Sequence, residues 1–108
     1  MATVKSSGTQ AATLSTEHTL ATITDPGTYQ LKVDLSPLVA ADVVELRIYS
    51  KVLSSGTERL QHKATYGPTP LAAPIVVSIP DVSPHHFKAT LKQVAGTGRS
   101  FEWAVYEL

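Results

Sequence analysis

Alternation of apolar and polar residues over short runs is the feature that most limits what this chain can fold into. In TYQLKVDL, residues 28–35, one face of an extended strand receives the apolar side chains and the other the polar ones. A helix has a period of 3.6 residues and would scatter these side chains around its circumference. The same alternation recurs in VVELRIYSKV (43–52), Glu58–Tyr66, His86–Val94 and Phe101–Val105.

Composition and turn spacing extend this pattern to the whole chain. Thr, Val and Ile supply 28 of the 108 residues, and such β-branched side chains favour strands. Seven prolines and six glycines divide the chain into segments of roughly 8–12 residues, a spacing typical of sandwiches. We predict an all-β protein, a single antiparallel β-sandwich of about eight strands with a jelly-roll-like arrangement at residues 12–108.

Several local expectations accompany this architecture. Residues 1–11 are small and polar, which predicts a flexible N-terminal arm. Leu14, Leu20 and either Ala21 or Ile23 are expected to point inward, and residues 36–42 to form a helical or 3₁₀ turn that plugs one end of the sandwich.

The stretch Gly96-Thr97-Gly98-Arg99 raises the possibility of a phosphate-binding loop. A dinucleotide fingerprint needs a third glycine three residues further on and a following helix, but Phe101 occupies that position and a strand pattern follows. We therefore interpret 96–99 as the turn of a β-hairpin.

Charge and residue types disfavour several functional classes. Nine basic and nine acidic side chains cancel, whereas nucleic-acid binders carry a basic excess. Cysteine is absent, which fits assembly in a reducing cytoplasm, and the longest apolar run, Leu71–Val77, is broken by Pro74 and too short for a membrane span. Direct nucleic-acid binding and membrane association are therefore not expected.

No arrangement of residues predicts catalysis or cofactor binding. The four histidines (18, 62, 85 and 86) match no zinc spacing and are interpreted as surface or edge residues. No nucleophile elbow is present, and nothing selects an acidic pair among the nine carboxylates. We expect a non-enzymatic protein without cofactor or metal.

Aromatic residues suggest where contacts form. Trp103 shares a strand face with Phe101 and Val105, so a core position is preferred over a sugar-stacking platform. Tyr49 and Tyr106 are expected to point outward and are candidate contact residues, since tyrosine tolerates both packing and water.

Two longer stretches, DLSPLVAADVVELRIYSKVLSSGTERL and ATLKQVAGTGRSFEWAVYEL, carry a family resemblance. With the strand Tyr29–Leu35, the Gly56–Arg59 turn and the segment Pro74–Pro80, they resemble small β-sandwich structural proteins of tailed bacteriophage virions. The resemblance covers most of the chain beyond about residue 12 and rests on strand and turn motifs.

This resemblance implies a capsid decoration, or cement, protein on the virion exterior that binds the major capsid protein, self-associates on the particle and stabilises the shell. The segments expected to contact the shell or a sister copy are the N-terminal arm, with Thr3, Val4 and Lys5, and the proline loop 67–74, with Pro68, Pro70 and Leu71. Two alternatives stay open: a tail or head–tail accessory protein, and a carbohydrate-binding module for host attachment.

Overall fold

The computed structural model describes residues 2–108, in which nine β-strands and no helix are present. The strands are β1 (Thr3–Ala11), β2 (Glu17–Ile23), β3 (Gly27–Asp34), β4 (Val43–Ser50), β5 (Arg59–Tyr66), β6 (Ile75–Val77), β7 (Asp81–Ser83), β8 (Phe87–Ala95) and β9 (Ser100–Glu107).

These strands form two packed antiparallel sheets. Sheet 1 has the order β1-β9-β3-β6, with β7 also paired to β3, and sheet 2 has the order β2-β8-β4-β5. Strands β6 and β7 pair with successive parts of β3, Lys32–Asp34 and Gly27–Tyr29, so together they act as one interrupted strand. Counted in this way, eight strands wind through two four-stranded sheets, and the predicted jelly-roll-like β-sandwich is confirmed.

The core lies between the sheets and follows the alternation read from the sequence. Tyr29, Leu31, Val33 and Leu35 of the β3 segment are at most 1% exposed. The inward residues of the other central strands are similarly buried: Val44, Leu46 and Ile48 of β4, Phe87, Ala89 and Leu91 of β8, and Phe101 and Val105 of β9. Trp103 is half-buried and packs against this cluster, as its strand face predicts.

The N-terminal arm is the first expectation that the structure corrects. Thr3–Ala11 form strand β1, which pairs with β9 over almost its whole length. Without β1 the ladder groups on that edge of β9 would be unpaired, and hydrogen bonding to them overrides the polar composition. At Gly8 the indole of Trp103 lies 3.4 Å from the position of an added Cβ, so β1 also covers the tryptophan.

The expected hairpin around residues 96–99 is also wrong. β8 pairs with β2 and β4 in sheet 2, whereas β9 pairs with β1 and β3 in sheet 1. The segment 96–99 therefore carries the chain from one sheet to the other across the end of the sandwich. Sequence alternation identified both strands but could not show that they belong to different sheets.

Of the residues expected to point inward near β2, only Leu14 is wrong, since it is 42% exposed. Ala21 and Ile23 are buried and Leu20 packs against the core, as expected. Residues 36–42 form two successive turns, closed by i→i−3 bonds of the 3₁₀ type from Leu38 N–H to Leu35 C=O (3.0 Å) and from Asp42 N–H to Val39 C=O (3.0 Å), without a regular helix. Leu38 is 4% exposed and does close that end of the core.

Candidate functional site

One lateral side of the sandwich concentrates exposed apolar surface. There the terminal strand of sheet 2, β5, faces the terminal strands of sheet 1, β6 and β7; we call these strands and the β4–β5 loop the open side. Of the eleven large hydrophobic residues that are exposed among residues 2–108, six lie on it, Val52, Leu53, Leu60, Ile75, Val77 and Val82, and Ile79 lies in the adjoining β6–β7 connection. Concentrated exposed apolar surface marks an interaction site more often than scattered residues do.

A groove of about 400 Å³ runs into the open side between β5 and β7. Its apolar wall includes Val52, 90% exposed, Val82, 77% exposed, and Leu60, 49% exposed. The lateral groove is lined by Ser50, Lys51, Val52, Arg59, Leu60, Gln61, Asp81, Val82 and Pro84.

Strand β7 positions Asp81, the buried carboxylate of the groove. Its three residues alternate, so Asp81 and Ser83 are buried while Val82 faces solvent. Asp81 is only 6% exposed, and its Oδ1 accepts a hydrogen bond from Gln61 Nε2 at 2.8 Å. The other carboxylate oxygen, Oδ2, and the Ser83 hydroxyl have no hydrogen-bond partner among residues 2–108. Buried polar atoms without partners cost stability, so these two groups call for a functional explanation.

Two cations lie beside this carboxylate without being paired to it. Lys51 and Arg59 line the groove, and neither forms an ion pair within the part of the chain that the structure describes. Just before β5, Glu58 binds His86 Nε2 and Lys88 Nζ (3.1 Å). Burial alone would raise the pKa of Glu58, but these hydrogen bonds hold it below its ordinary value. Glu58 thus fastens the beginning of β5 to the β7–β8 connection at one end of the groove.

The Gly-Thr-Gly-Arg segment is held from inside by a buried carboxylate rather than open to a ligand. Asp42, 1% exposed, accepts hydrogen bonds from Thr97 N–H (3.0 Å), Val39 N–H (3.1 Å) and Arg99 Nε (2.9 Å). Burial raises the pKa of Asp42, but these three donors outweigh it and hold the pKa below its ordinary value. Gly96 has φ +88°, and a Cβ there would collide with the Asp42 carboxylate. The backbone N–H and the guanidinium that a phosphate would need already serve Asp42.

Gln93 completes this cluster at the end of the sandwich. Its side chain is fully buried and donates from Nε2 to the carbonyls of Ala95 (3.1 Å) and Thr97 (2.7 Å). Its Oε1 accepts from Arg99 N–H at 3.1 Å. The segment is therefore a fully bonded structural turn.

The outer face of sheet 2 carries a charged network in place of an open surface. Glu17 accepts hydrogen bonds from Tyr49 Oη (2.6 Å) and Thr90 Oγ1 (2.7 Å) and pairs with Arg47 (3.4 Å). Burial alone raises the pKa of Glu17, but these partners bring it below its ordinary value. Hydrogen bonds to Tyr49 and Glu45 raise the pKa of Arg47. Tyr49, which the sequence predicted as a contact residue, is thus bonded within the protein and lies on the sheet face opposite that of Tyr106.

The outer face of sheet 1 bears a shallow depression of about 240 Å³ that includes Trp103 and Tyr106. Lys32 Nζ lies 5.2 Å from the centroid of the Tyr106 ring, a cation–π contact. Carboxylates of Asp34 and Glu102 share the same depression. Both aromatic residues are half-buried, and the indole of Trp103 packs partly against the core.

The structure divides the predicted contact residues among separate places. Thr3, Val4 and Lys5 lie on β1, where Val4 pairs in register with Tyr106 and Lys5 Nζ contacts Asp25 (2.8 Å). Pro68, Pro70 and Leu71 lie in the β5–β6 loop, where Leu71 packs against the core.

None of these predicted residues lines the lateral groove. The sequence gives one signal for it, the segment Pro80-Asp-Val-Ser-Pro84, in which a lone apolar residue stands between polar residues and prolines. The inward orientation of Asp81 depends on the pairing of β7 with β3, which this signal does not contain.

Comparisons with known proteins add no family to this description. No protein-family model, curated protein sequence or solved structure matches the chain. Within residues 2–108, no helix has the length and apolar character needed to cross a membrane. The same residues contain no group of three or more His, Cys, Asp or Glu side chains placed to hold a metal ion.

Proposed function

We propose that this protein is a non-enzymatic structural protein of a tailed-phage particle, a decoration protein that docks on the outer capsid and stabilises it. The observation that carries the proposal is the open side, where exposed apolar residues surround a groove with a half-paired buried carboxylate. Such a surface gains free energy when another protein covers it.

The architecture supports the same proposal. Jelly rolls recur in viral capsid domains, although fold alone does not establish function. Most charged groups on the outer face of sheet 2 are paired with one another, although Arg47 Nε has no partner, whereas the open side combines unpaired buried groups with exposed apolar surface. The sequence resemblance to phage structural proteins supplies the partner, the major capsid protein.

Under this proposal, the two segments that the resemblance implies as contact regions make additional contacts beside the groove. Strand β1, with Thr3, Val4 and Lys5, and the proline loop at 67–74 lie outside the groove. We assign them to contacts with neighbouring copies or with a second capsid subunit, while the groove makes the central contact.

Two experiments test the proposal. Quantitative mass spectrometry of particles of the encoding phage measures the copy number relative to the major capsid protein. A ratio near one, or a simple fraction of it, is expected for a decoration protein. A few copies would place the protein in the tail or neck instead, and absence from the particle would overturn the structural role.

Co-sedimentation with particles that lack the protein then tests the surface. Val82→Asp should abolish or strongly weaken binding, whereas Val4→Asp, the same change at another exposed valine, which lies on β1, should weaken it less. Equal binding by the Val82→Asp variant and the unaltered protein would contradict docking through the open side.

Carbohydrate binding is a second candidate function, favoured by the depression that holds Trp103, Tyr106, Asp34 and Glu102 on sheet 1. The ring of Tyr106 is suited to stacking on a sugar, and the carboxylates of Asp34 and Glu102 can accept hydrogen bonds from its hydroxyls. Titration with host-surface glycans, followed by the fluorescence of Trp103, tests it. An unchanged emission spectrum together with no binding on a glycan array would remove this candidate.

A further inference from the structure

We infer that the lateral groove seats an extended segment of a partner polypeptide that carries apolar side chains and acidic flanking residues. Under the proposed function, on which this inference rests, the segment belongs to the capsid subunit. The groove's own chemistry specifies the occupant in three steps.

Asp81 lines the groove but keeps its Oδ2 beneath the groove surface, so a hydrogen-bond donor reaches this oxygen only when the neighbouring side chains shift. Asp81 Oδ2 is buried and unpaired, while Gln61 already occupies Oδ1. A phosphate or a fatty-acid carboxylate would place a second negative charge against this oxygen, so such anions are disfavoured. A backbone N–H or a side-chain amide or hydroxyl of a polypeptide can donate to it.

The walls require apolar side chains rather than rings of sugar or base. Val52, Leu60 and Val82 present aliphatic surface, and none of the nine lining residues is aromatic. Sugars and nucleobases are held largely by stacking on aromatic faces, which this groove does not offer. Aliphatic side chains of a polypeptide contact such walls directly.

The rim sets the charge of the occupant. Lys51 and Arg59 line the groove and have no acidic partner among the described residues, so Asp or Glu side chains beside the apolar ones would pair with them. A second copy of this chain fits less well, because a two-fold interface centred on the groove would bring these cations close to their own equivalents.

The strand edges explain why the segment lies in the groove instead of extending a sheet. The pairing of β4 with β5 contains a bulge between Ile48 and Tyr49, beside Gln61, and β6 and β7 are only three residues long. Bulges and short edge strands hinder continuous strand addition. Recognition therefore rests on the groove's side chains and on Asp81.

Selection from a displayed library of random twelve-residue peptides tests this inference with the intact protein. Enriched sequences should combine aliphatic residues with Asp or Glu. A synthetic peptide from the selection, titrated by fluorescence anisotropy, should bind about tenfold more weakly to Val82→Asp, since burying an aliphatic side chain is worth about that factor. Arg59→Glu should weaken binding most at low salt, because screening reduces the ionic contribution.

Val4→Asp on β1 is the matched control and should leave peptide affinity within about twofold, because it lies on the opposite side of the sandwich. Peptide-induced NMR shifts should cluster on the residues that line the groove. Failure to enrich any peptide, equal affinity for Val82→Asp, or shifts confined to another face would overturn the inference. Concentration-dependent dimerisation abolished by Val82→Asp would also overturn it and make a second copy the occupant.

These results separate the inference from the proposed function. A peptide-binding groove in a protein that is absent from the phage particle would overturn only the virion role. A decoration protein whose groove binds no peptide would overturn only the inference.

Discussion

Asp42 and Asp81 are both buried aspartates at opposite extremes of hydrogen bonding. Asp42 receives three donors that fasten the connection between the sheets, including a guanidinium. Asp81 receives one donor and leaves Oδ2 unpaired beside an exposed apolar wall. Both carboxylate oxygens of Asp42 therefore accept hydrogen bonds, whereas only one oxygen of Asp81 does.

This difference separates residues that maintain the fold from residues held ready for binding. A fully bonded buried carboxylate fixes one arrangement of the segments around it, because every alternative loses several charge-assisted hydrogen bonds. A half-bonded one adds little to folding and gains most when a partner supplies the missing donor. Buried polar groups that lack a partner, such as Asp81 Oδ2, break a local rule of folding, and such violations concentrate at functional sites.

Removal of the Asp42 charge should produce the largest effect on stability. Asp42→Asn replaces one acceptor oxygen with an NH₂ group, which would face N–H donors that it cannot accept from. It also leaves the Arg99 guanidinium without its anion. We expect a loss of about 3 kcal/mol in the free energy of unfolding, as for other broken buried pairs. Urea unfolding followed by the fluorescence of Trp103 measures it, and a loss below about 1 kcal/mol would show that the cluster is dispensable.

Substitution of Gly96 should have the next largest effect, since it tests the same cluster through the backbone. Gly96→Ala places a Cβ at φ +88° and against the Asp42 carboxylate. We expect a loss of about 2 kcal/mol, within the range for strained backbone positions. Gly8→Ala is the control, since its Cβ would make ordinary contacts with Trp103, and it should be close to neutral. Equal effects of the two substitutions would contradict the role assigned to Gly96.

Acid should remove the contribution of Asp42 to stability, and comparison with Asp42→Asn isolates that contribution. Because its folded pKa lies below the ordinary value of 3.8, its stabilisation is complete above that value and disappears as pH falls through the folded pKa. Glu17, Glu45 and Glu58 have lowered pKa values and act in the same direction. The gap in unfolding free energy between the unaltered protein and Asp42→Asn should therefore narrow from pH 7 to pH 2. A gap that stays constant with pH would contradict the charge assignment.

The sequence predicts the core of this fold well because burial on strands follows a two-residue period. Inward and outward residues of β3, β4 and β8 could be assigned from alternation alone. Pairing partners could not, since alternation is identical in a hairpin and in a connection between sheets. The turn at 96–99 was misinterpreted for that reason, and β1 was missed because its stability comes from the edge of β9 rather than from its own composition.

The candidate site was less predictable than the fold. Its residues come from β5, β7 and the segment between β4 and β5, which meet only after both sheets have formed. Asp81 and Asp42 each precede a valine in the sequence, and no local signal distinguishes the fully bonded aspartate from the half-bonded one. The difference is created by which backbone and side-chain donors the topology brings to each.

The smallest expected effect on stability is at Asp81, and it gives the comparison its sharpest test. Asp81→Asn keeps an oxygen for Gln61 and removes a buried charge that lacks a full set of partners. We expect the free energy of unfolding to change by less than about 1 kcal/mol, in either direction. Peptide binding to the groove should nevertheless weaken, because an amide nitrogen at the unpaired position cannot accept the partner's donor. A stability loss as large as that of Asp42→Asn would show that Asp81 maintains the fold, and the two aspartates would then share one role.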